Sequence, residues 1–425
     1  MILDKNCDID TINCDDYTQA DFLNYSGDDL FEVTNYFSAY LHDATKKGYM
    51  VYGNPITSAP NAEFEVYDNH LGKERNFLNF CSYNYLGYSC HPEVIHSVQE
   101  PLAKYGTGAV SAPLLSGYYD LTKQLEESIS FFKKKEDAVV FSTGYGANLG
   151  TLSCLMKPGD VAVLDILSHA SIYDGARLAG AKIKVFTHNN AEHLEKILKD
   201  LNNPGRAVVC VEGVYSMDGD LVNLPEIVEV CKKYGAKILL DEAHSTLIFG
   251  KHGRGVAEHY GLEDEIDLTI GTFSKSFGAI GGFVTGKAKL MAYLKMYARS
   301  YVFSCAMAPH TAAGILKVLE LYKKDNSNVT KLWKNTHYMQ EKLKEAGLNI
   351  GETQSQIIPV IVGNDRRLRE ISRMLHSQGL YTGVVTFPAV SSKRTRLRLS
   401  MSSNHTIEQM DICTNMIKEA FDLNN

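Results

Sequence analysis

Hydrophobic positions in the middle of the chain form short continuous runs separated by amphipathic stretches. The runs lie at Ala138–Phe141, Val161–Leu164, Lys182–Phe186, Val208–Val211, Ile238–Leu240 and Leu268–Ile270. Strands that are apolar at every position, rather than at alternate ones, are buried on both faces. The pattern from residue 76 to 290 therefore predicts an α/β fold with a parallel sheet covered by helices.

The regions on either side of this pattern differ from it. Residues 1–60 are acidic and aromatic with one helical segment from Leu30 to Thr45, and we expect an arm that packs on a neighbour. Beyond residue 310, helical and strand patterns alternate at Ala312–Lys323, Asn335–Ala346, Ile357–Val362, Arg367–Ser377 and Arg396–Ser400. We predict an N-terminal arm (1–60), a large domain (61–310) and a smaller αβ domain (311–425).

Composition narrows the class of protein. Asp and Glu (50) outnumber Lys and Arg (43), giving a net charge of -7, which argues against nucleic-acid binding. The nine cysteines contain no C-x-x-C pair, so neither a zinc site nor a disulfide framework is indicated. The N-terminal residues Met1–Asn6 do not resemble a signal peptide, and no apolar stretch reaches the roughly 18 residues of a membrane span. We predict a cytoplasmic protein without a transmembrane segment.

Lys275 and Asp241 are the main candidates for chemistry. Lys275 stands among small and hydroxyl residues in Gly271–Gly278, and Asp241 ends the apolar run that begins at Lys237. An unpaired charge at such a strand end would cost several kcal/mol, so we expect a cationic partner for Asp241. This pairing suits pyridoxal 5'-phosphate (PLP), whose carbonyl forms a Schiff base with lysine and whose ring nitrogen needs a carboxylate. The alternatives are a structural salt bridge for Asp241 and a surface position for Lys275.

A phosphate site is predicted at the turn Ser142–Asn148, which follows a strand and opens a helix expected at Ala147–Met156. Free backbone amides and the helix dipole favour an anion there, at Gly144 and Tyr145. The hydroxyl of Thr272 can serve the same phosphate. A glycine-containing turn of this kind is also common as a purely structural feature.

Two histidines follow strand ends. His169 comes shortly after Val161–Asp165, where its ring can stack on a flat cofactor or serve as a core or turn histidine. His244 lies three residues after Asp241 and is expected near the ring hydroxyl of the cofactor, with an ordinary loop histidine as the alternative.

Two motifs also suggest an ATPase or helicase, because Asp241–His244 spells a Walker-B signature and Gly281–Lys287 matches G-x-x-x-x-G-K. A P-loop lysine is followed by Ser or Thr and precedes the acidic strand. Here Ala288 follows the lysine and the order is reversed, so this interpretation is disfavoured.

Several segments together resemble the α-oxoamine synthase family of fold-type I PLP enzymes. They are Asn79–Gly87, Glu212–Asp220, Asp241–His244, Thr272–Gly278 and Arg396–Arg398. The resemblance covers roughly residues 45–420, and the wording of Ser82–Gly87 is most similar to the serine palmitoyltransferases of that family. It implies a mainly parallel seven-stranded central sheet with a smaller C-terminal αβ domain.

The resemblance also implies roles for individual residues. The catalytic set is Lys275 as Schiff-base lysine and base, Asp241 as pyridinium partner and His169 as stacking ring. The remaining cofactor contacts are Ser216 and His244 at the ring hydroxyl, and Thr272 with the amides of Gly144 and Tyr145 at the phosphate. Ser304 matches a residue that reaches the phosphate of the other subunit, which implies a homodimer with shared active sites.

For the substrate, Arg398 matches an arginine that binds the carboxylate, where a guanidinium offers two parallel donors. Asn84 is expected nearby, whereas Arg396 is interpreted as a surface arginine. The sequence departs from the family at Pro113 and Thr122, which stand where basic or histidine side chains are common.

The implied reaction is a decarboxylative Claisen condensation. A small amino acid and an acyl thioester (acyl-CoA or acyl carrier protein) give an α-amino ketone, CO2 and free thiol. Serine with a long acyl chain is favoured, ahead of alanine or glycine in an enzyme like 8-amino-7-oxononanoate synthase, 2-amino-3-ketobutyrate CoA ligase or a secondary-metabolite synthase. Other classes are a fold-type I aminotransferase or lyase, and a non-catalytic partner subunit, which would lack the lysine.

Overall fold

The computed structural model describes residues 8–424. The N-terminal residues Met1–Asn6, on which the prediction of no signal peptide rests, lie outside this range. The strands are β1 (Glu63–Asp68), β2 (Lys73–Phe80), β3 (Asp137–Phe141), β4 (Val161–Asp165), β5 (Lys182–Phe186), β6 (Ala207–Glu212), β7 (Lys237–Asp241), β8 (Leu268–Thr272), β9 (Gly282–Gly286), β10 (Ile357–Ile361), β11 (Leu380–Val385) and β12 (Arg396–Ser400).

The helices connect and cover these strands. They are α1 (Gln19–Leu23), α2 (Glu32–Lys46), α3 (Pro92–Ser97), α4 (Gln99–Tyr105), α5 (Asp120–Lys133), α6 (Gly144–Leu155), α7 (Ala170–Leu178), α8 (Ala191–Lys199), α9 (Leu224–Tyr234), α10 (Val256–His259), α11 (Ala288–Tyr297), α12 (Arg299–Val302), α13 (Pro309–Lys324), α14 (Ser327–Glu345), α15 (Asp365–Ser377) and α16 (Ile407–Leu423). Among residues 8–424, no helix has the length and apolar character needed to cross a membrane.

The chain divides into two compact units. One contains the part up to Ser82, the short stretch Met217–Gly219 and the part from Lys331 onward. The other contains Tyr83–Ser216 and Asp220–Thr330. The division into residues 1–60, 61–310 and 311–425 stays a prediction.

The second unit is built on a seven-stranded sheet in the order β3-β9-β8-β7-β6-β4-β5. Strands β5, β4, β6, β7 and β8 pair in parallel, and β9 runs antiparallel to both of its neighbours. This confirms the mainly parallel seven-stranded sheet. The run Gly281–Lys287, which matched a P-loop, largely forms β9, so it makes no phosphate-binding loop.

Burial of the strands follows their position in the sheet. Every residue of β8 and β9 is buried, as expected for strands covered on both faces. The same expectation is wrong for β5, whose Lys182, Lys184 and Val185 are exposed. As the terminal strand, β5 has a neighbour on one side only, and its lysines protect that edge from further strand pairing.

The core of this unit lies between the central strands and the helices α6, α7 and α11. Leu164 on β4 and Ile270 on β8 pack with Leu152 on α6 and Ala176 on α7, all of them buried. Each fully buried large aliphatic side chain contributes about 1.5–3 kcal/mol relative to an exposed one. The strand ends are thereby held rigidly, and the side chains that follow them start from fixed positions.

The first unit contains a five-stranded sheet in the order β1-β2-β11-β12-β10, in which β2 and β11 are the parallel pair. The helical segment predicted from Leu30 to Thr45 is observed as α2, preceded by the short α1. Within this unit the N-terminal segment packs on α15, where Arg369 donates to the carbonyl oxygens of Cys14 and Tyr17.

Candidate cofactor and active site

A cavity of about 360 Å³ opens where β6, β7 and β8 end. Its volume lies in the range of small-molecule sites, and its lining comes entirely from the second unit. The lining includes seven of the residues predicted from sequence, namely Lys275, Asp241, His169, His244, Thr272, Gly144 and Tyr145. Motifs that are up to 131 positions apart in the sequence (Gly144 to Lys275) therefore meet at one edge of the sheet.

Asp241 is the last residue of β7 and is 5% exposed. Its Oδ2 accepts a hydrogen bond from Nδ2 of Asn148 (2.8 Å), and its Oδ1 accepts one from the backbone amide of Ala243 (2.9 Å). Both donors are neutral amides, which orient the carboxylate without neutralising it. A buried carboxylate held in this way on a cavity wall suits a cationic ligand group.

Lys275 lies in a tight turn after β8. The turn is closed by a hydrogen bond from the amide of Gly278 to the carbonyl of Lys275 (2.8 Å). Gly278 has a positive φ of 65°, and a Cβ there would come within 2.3 Å of the backbone nitrogen of Ser89. Glycine is therefore required at this position, and the sequence Ser-Lys-Ser-Phe-Gly aims Lys275 at the cavity. The Nζ of Lys275 lies 6.0 Å from the centroid of the Tyr83 ring.

His169 is the N-cap residue of α7, and its ring faces the cavity. The backbone amide of Ser171 donates to Nδ1 of His169 (3.3 Å), so the ring proton of a neutral imidazole is carried by Nε2. The surrounding atoms displace water from the ring, and this desolvation lowers the pKa of His169. Desolvation therefore favours the neutral form of the His169 ring.

The turn predicted to bind phosphate lies between the end of β3 at Phe141 and the start of α6, and this helix begins earlier than expected. Helix α6 begins at Gly144 rather than Ala147, because the side chain of Thr143 caps it by accepting from the amide of Gly146 (2.9 Å). The amides of Gly144 and Tyr145 consequently belong to the first turn, where helix amides have no partner within the helix. A Cβ at Gly144 would lie 2.9 Å from Cβ and Oγ1 of Thr272, so only glycine permits this close approach.

His244 is 5% exposed and belongs to an aromatic group beside the cavity. Its Nδ1 is hydrogen-bonded to the hydroxyl of Tyr85 (2.9 Å), and its ring stands edge-on to Tyr83. These contacts fix the orientation of the imidazole.

Among the other residues that line the cavity, Glu212 and Asn148 are functional candidates to which the sequence analysis assigns no role. Glu212 ends β6 in register with Asp241, is 3% exposed, and has an Oε1 without a hydrogen-bond partner. Burial, followed by the nearby charge of Asp241, raises the pKa of Glu212 well above its ordinary value. The signal was available, because Glu212 is a charged residue at the end of an apolar run, as Asp241 is.

The remaining predicted residues lie outside the cavity lining. Asn84 and Ser216 are buried residues of the second unit, and Ser304 of the same unit is partly exposed. Arg398 belongs to the first unit, where it is 4% exposed on β12 and donates to Oγ of Ser400 (2.9 Å). The interpretation of Arg396 as a surface residue is wrong. It is fully buried, because its guanidinium donates to Asp218 (2.9 Å) and to the carbonyl of Met217 (2.8 Å) within the first unit.

Comparisons with known proteins agree with this geometry. Residues 75–417 match the family model of aminotransferase class I and II. The chain is 38% identical to serine palmitoyltransferase of Sphingobacterium spiritivorum, over 90% of this chain and 94% of that protein. It is 34% identical to the 4-hydroxy-2,2'-bipyrrole-5-methanol synthase PigH of Serratia sp., over 93% of this chain but only 61% of the length of PigH.

Among solved structures, serine palmitoyltransferase from S. paucimobilis, with bound PLP and myriocin, superposes with a TM-score of 0.88. It is 33% identical and is matched over 93% of this chain and 99% of that chain. The cavity fits PLP as well. It offers the amine of Lys275, the buried carboxylate of Asp241, and first-turn amides of α6 beside Thr272 that can meet an anion. The chain belongs to the aminotransferase class I and II family and, within it, to the PLP-dependent α-oxoamine synthases.

Proposed function

We propose that this α-oxoamine synthase condenses serine with a long-chain acyl thioester, releasing CO2 and the free thiol to give an α-amino ketone. The observation that carries the chemistry is the convergence of Lys275, Asp241 and His169 on one cavity. The choice of serine is supported by the likeness to serine palmitoyltransferases in both sequence and structure. Alanine or glycine with another acyl donor is the second candidate.

PLP, when bound, supplies an electron sink for the carbanion at the amino-acid Cα. Lys275 would hold the cofactor, and its free amine would take the Cα proton once the substrate has replaced it. Asp241, oriented by Asn148 and Ala243, would keep the pyridine nitrogen protonated. The amides of Gly144 and Tyr145 would bind the phosphate together with the hydroxyl of Thr272.

His169 is proposed to stack on the cofactor and to present its Nε2 proton to the thioester carbonyl. The neutral state of the ring supports this role, because Nδ1 accepts from Ser171 and leaves Nε2–H as the donor. His244 and Ser216 would contact the ring hydroxyl. Arg398 and Asn84 would bind the substrate carboxylate, and the burial of the Arg398 guanidinium favours a charge-assisted contact.

We propose a homodimer in which Ser304 reaches the cofactor phosphate of the second copy. Large apolar side chains next to Ser304 and in the loop before α5 are strongly exposed, including Phe303 (73%), Val110 (90%) and Leu115 (83%). A second copy would remove them from water. In sedimentation experiments on a dilution series, the Phe303→Ser dimer should dissociate at a higher protein concentration than the wild-type dimer.

The cytoplasmic location stays a prediction.

The cofactor role is tested by Lys275→Ala. Borohydride reduction of PLP-loaded wild type should leave a pyridoxyl group on the peptide that contains Lys275, and Lys275→Ala should not be labelled. Lys251→Ala, which changes an exposed lysine, is the matched control and should label as wild type does. Continued labelling of Lys275→Ala would place the Schiff base elsewhere.

Substrate choice is tested by spectral titration of the PLP enzyme with serine, alanine and glycine, followed by mass spectrometry of the products from acyl-CoAs of graded length. Serine with a long acyl chain should give the highest kcat/KM. A higher kcat/KM with alanine or glycine would show that serine is not the preferred substrate, and would not contradict the chemistry of the family.

A further inference from the structure

A cluster of one histidine and two aspartates lies at the carboxyl edge of the seven-stranded sheet, outside the cavity lining. His188, in the loop between β5 and α8, contacts two carboxylates. Its Nδ1 lies 3.0 Å from Oδ1 of Asp165, and its Nε2 lies 2.7 Å from Oδ2 of Asp220. The ring of Tyr215 stands edge-on to the imidazole, with centroids 4.4 Å apart.

This geometry determines the charge of His188. A neutral imidazole has one N–H group, whereas an ionised carboxylate can only accept hydrogen bonds, so both contacts are satisfied only when both ring nitrogens carry protons. Burial alone would lower the pKa of His188, but hydrogen bonds to Asp165 and Asp220 outweigh this and raise it to about 10. Among residues 8–424, the ionisable groups that contact the ring are Asp165, Asp220 and Tyr215. His193 of α8 bonds to Thr187 (2.9 Å), the residue before His188.

One end of the cluster shapes the loop that carries His169. Asp165 is the last residue of β4 and is completely buried. Its carboxylate accepts from the amides of Leu167 and Asn189 (both 2.9 Å), and its carbonyl accepts from the amide of Ser168 (2.9 Å). The turn that leads into His169 is thus folded around Asp165.

The other end closes the loop that carries Ser216. The carbonyl of Asp220 accepts from the amide of Tyr215 (3.0 Å), so these two residues bracket Ser216. Asn189, next to His188, donates to the Asp220 carboxylate (3.2 Å) and to the carbonyl of Leu221 (2.8 Å). Asn189 has a positive φ of 54°, a conformation that Asn tolerates better than most residues.

We propose that His188 is a positioning residue of the active site, which as an imidazolium ties the loop carrying His169 to the loop carrying Ser216. The inference rests on the proposed function, because it gives both loops a role at the cofactor. His188 itself takes no part in the chemistry. It keeps the ring of His169 and the hydroxyl of Ser216 at a fixed separation.

The protonation state is tested directly by 15N NMR of histidine-labelled PLP enzyme, with the His188 signal assigned from its loss in His188→Gln. At about pH 8, above the ordinary histidine pKa, both ring nitrogens of His188 should still be protonated. A neutral imidazole at that pH would overturn the proposal. The same measurement can be made without activity and on protein free of PLP, so it separates failure of the inference from failure of the proposed function.

The positioning role is tested with the same variant in the PLP enzyme. His188→Gln should keep full PLP content, because Lys275, Asp241 and Thr272 are unchanged, but should lower kcat roughly 10–100-fold and alter the circular dichroism of the cofactor band. His42→Gln, at an exposed position on α2, is the control and should change neither. Unchanged kcat and cofactor dichroism in His188→Gln would contradict the role.

If His188→Gln fails to fold, Asp220→Asn provides the test. It keeps an oxygen that accepts from Nε2 but removes one of the two carboxylates. The His188 imidazole should then lose its proton at lower pH than in wild type, and the cofactor dichroism should shift in the same direction as in His188→Gln. A titration identical to wild type would contradict the cluster.

Discussion

Two aspartates end strands of the same sheet and differ in what meets their charge. Asp165 ends β4 and Asp241 ends β7, and both are buried. Asp165 is contacted by the imidazole of His188, whereas Asp241 receives hydrogen bonds from the neutral amides of Asn148 and Ala243 and faces a cavity. The carboxylate of Asp165 meets a side chain that can carry the opposite charge, whereas that of Asp241 is held by neutral amides on a cavity wall, as our proposal of a cationic cofactor group requires.

This difference in contacts could not be predicted from sequence, because Asp165 and Asp241 have similar sequence surroundings. Each follows an apolar run and precedes a histidine by a few positions. Burial of a charge requires compensation in both cases, but it does not say whether the compensation is structural or comes from a ligand. We therefore expect substitutions at Asp165 to lower stability and to act on catalysis only through the loop that carries His169, and substitutions at Asp241 to act on catalysis directly.

Asp241→Asn should produce the largest effect. The amide oxygen can still accept from Asn148 or Ala243, so the fold should persist, but the pyridine nitrogen would lose its anionic partner. We expect kcat/KM to fall by about 100–1,000-fold, the cost of removing one preorganised electrostatic contact. Steady-state kinetics and the PLP content of the purified variant measure this. A rate within threefold or so of wild type would contradict the assignment of Asp241.

Asp165→Asn should instead reduce stability. It breaks a buried charge pair and leaves His188 with one carboxylate, which should lower the free energy of unfolding by about 3 kcal/mol. Urea unfolding of the PLP enzyme, compared with Glu127→Gln at an exposed ion pair with Lys123, measures the difference. If Asp165→Asn is as stable as that control, the cluster has no structural role.

The pH dependence of stability should reveal the His188 cluster. The pKa of His188 is about 10 in the folded protein and 6.5 ordinarily, so its stabilising contribution is complete below pH 6.5 and is lost as pH rises towards 10. The difference in unfolding free energy between wild type and His188→Gln should therefore shrink across this window. A difference that stays constant or grows with pH would show that the imidazole is neutral in the fold.

Gly144→Ala should have the smallest effect, since it leaves the charges at both strand ends unchanged. The new Cβ would meet Thr272 at 2.9 Å and push α6 from the phosphate site. We expect PLP affinity to fall about tenfold, a loss of about 1.4 kcal/mol that lies at the lower end of the roughly 1–3 kcal/mol typical of overpacking. Gly205→Ala, whose Cβ would meet its nearest neighbour at an ordinary 3.4 Å, is the control in a PLP-binding titration.

Local patterns predicted much of the fold. All six apolar runs became strands of the seven-stranded sheet, extended by one or two residues at most of their ends. Strand β9 was missed, because its glycine-rich sequence reads as a loop and is a strand only between β3 and β8. The start of α6 was misplaced by three residues, because the cap is made by Thr143 and not by the residues next to Ala147.

The candidate site was predicted unevenly for a similar reason. Residues at strand ends, such as Lys275, Asp241 and His169, could be found because parallel strands bring their carboxyl ends to one edge. Asn148 could not be found in this way, because its role depends on α6 lying against β7, and nothing in its immediate sequence indicates a contact with Asp241. The burial of Arg396 could not be predicted from the alternation of side chains along a strand. It depends on a hydrogen bond to Asp218, which lies almost 180 positions away in the sequence.

The sequence by itself determined the class of protein, since apolar runs specify a parallel sheet and the motifs around Lys275 and Asp241 specify the PLP-dependent chemistry of the α-oxoamine synthases. Only the tertiary structure decided which buried charges are neutralised within the chain and which face the cavity. Charge compensation depends on distances of about 3 Å between residues far apart in the sequence, and packing alone sets those distances.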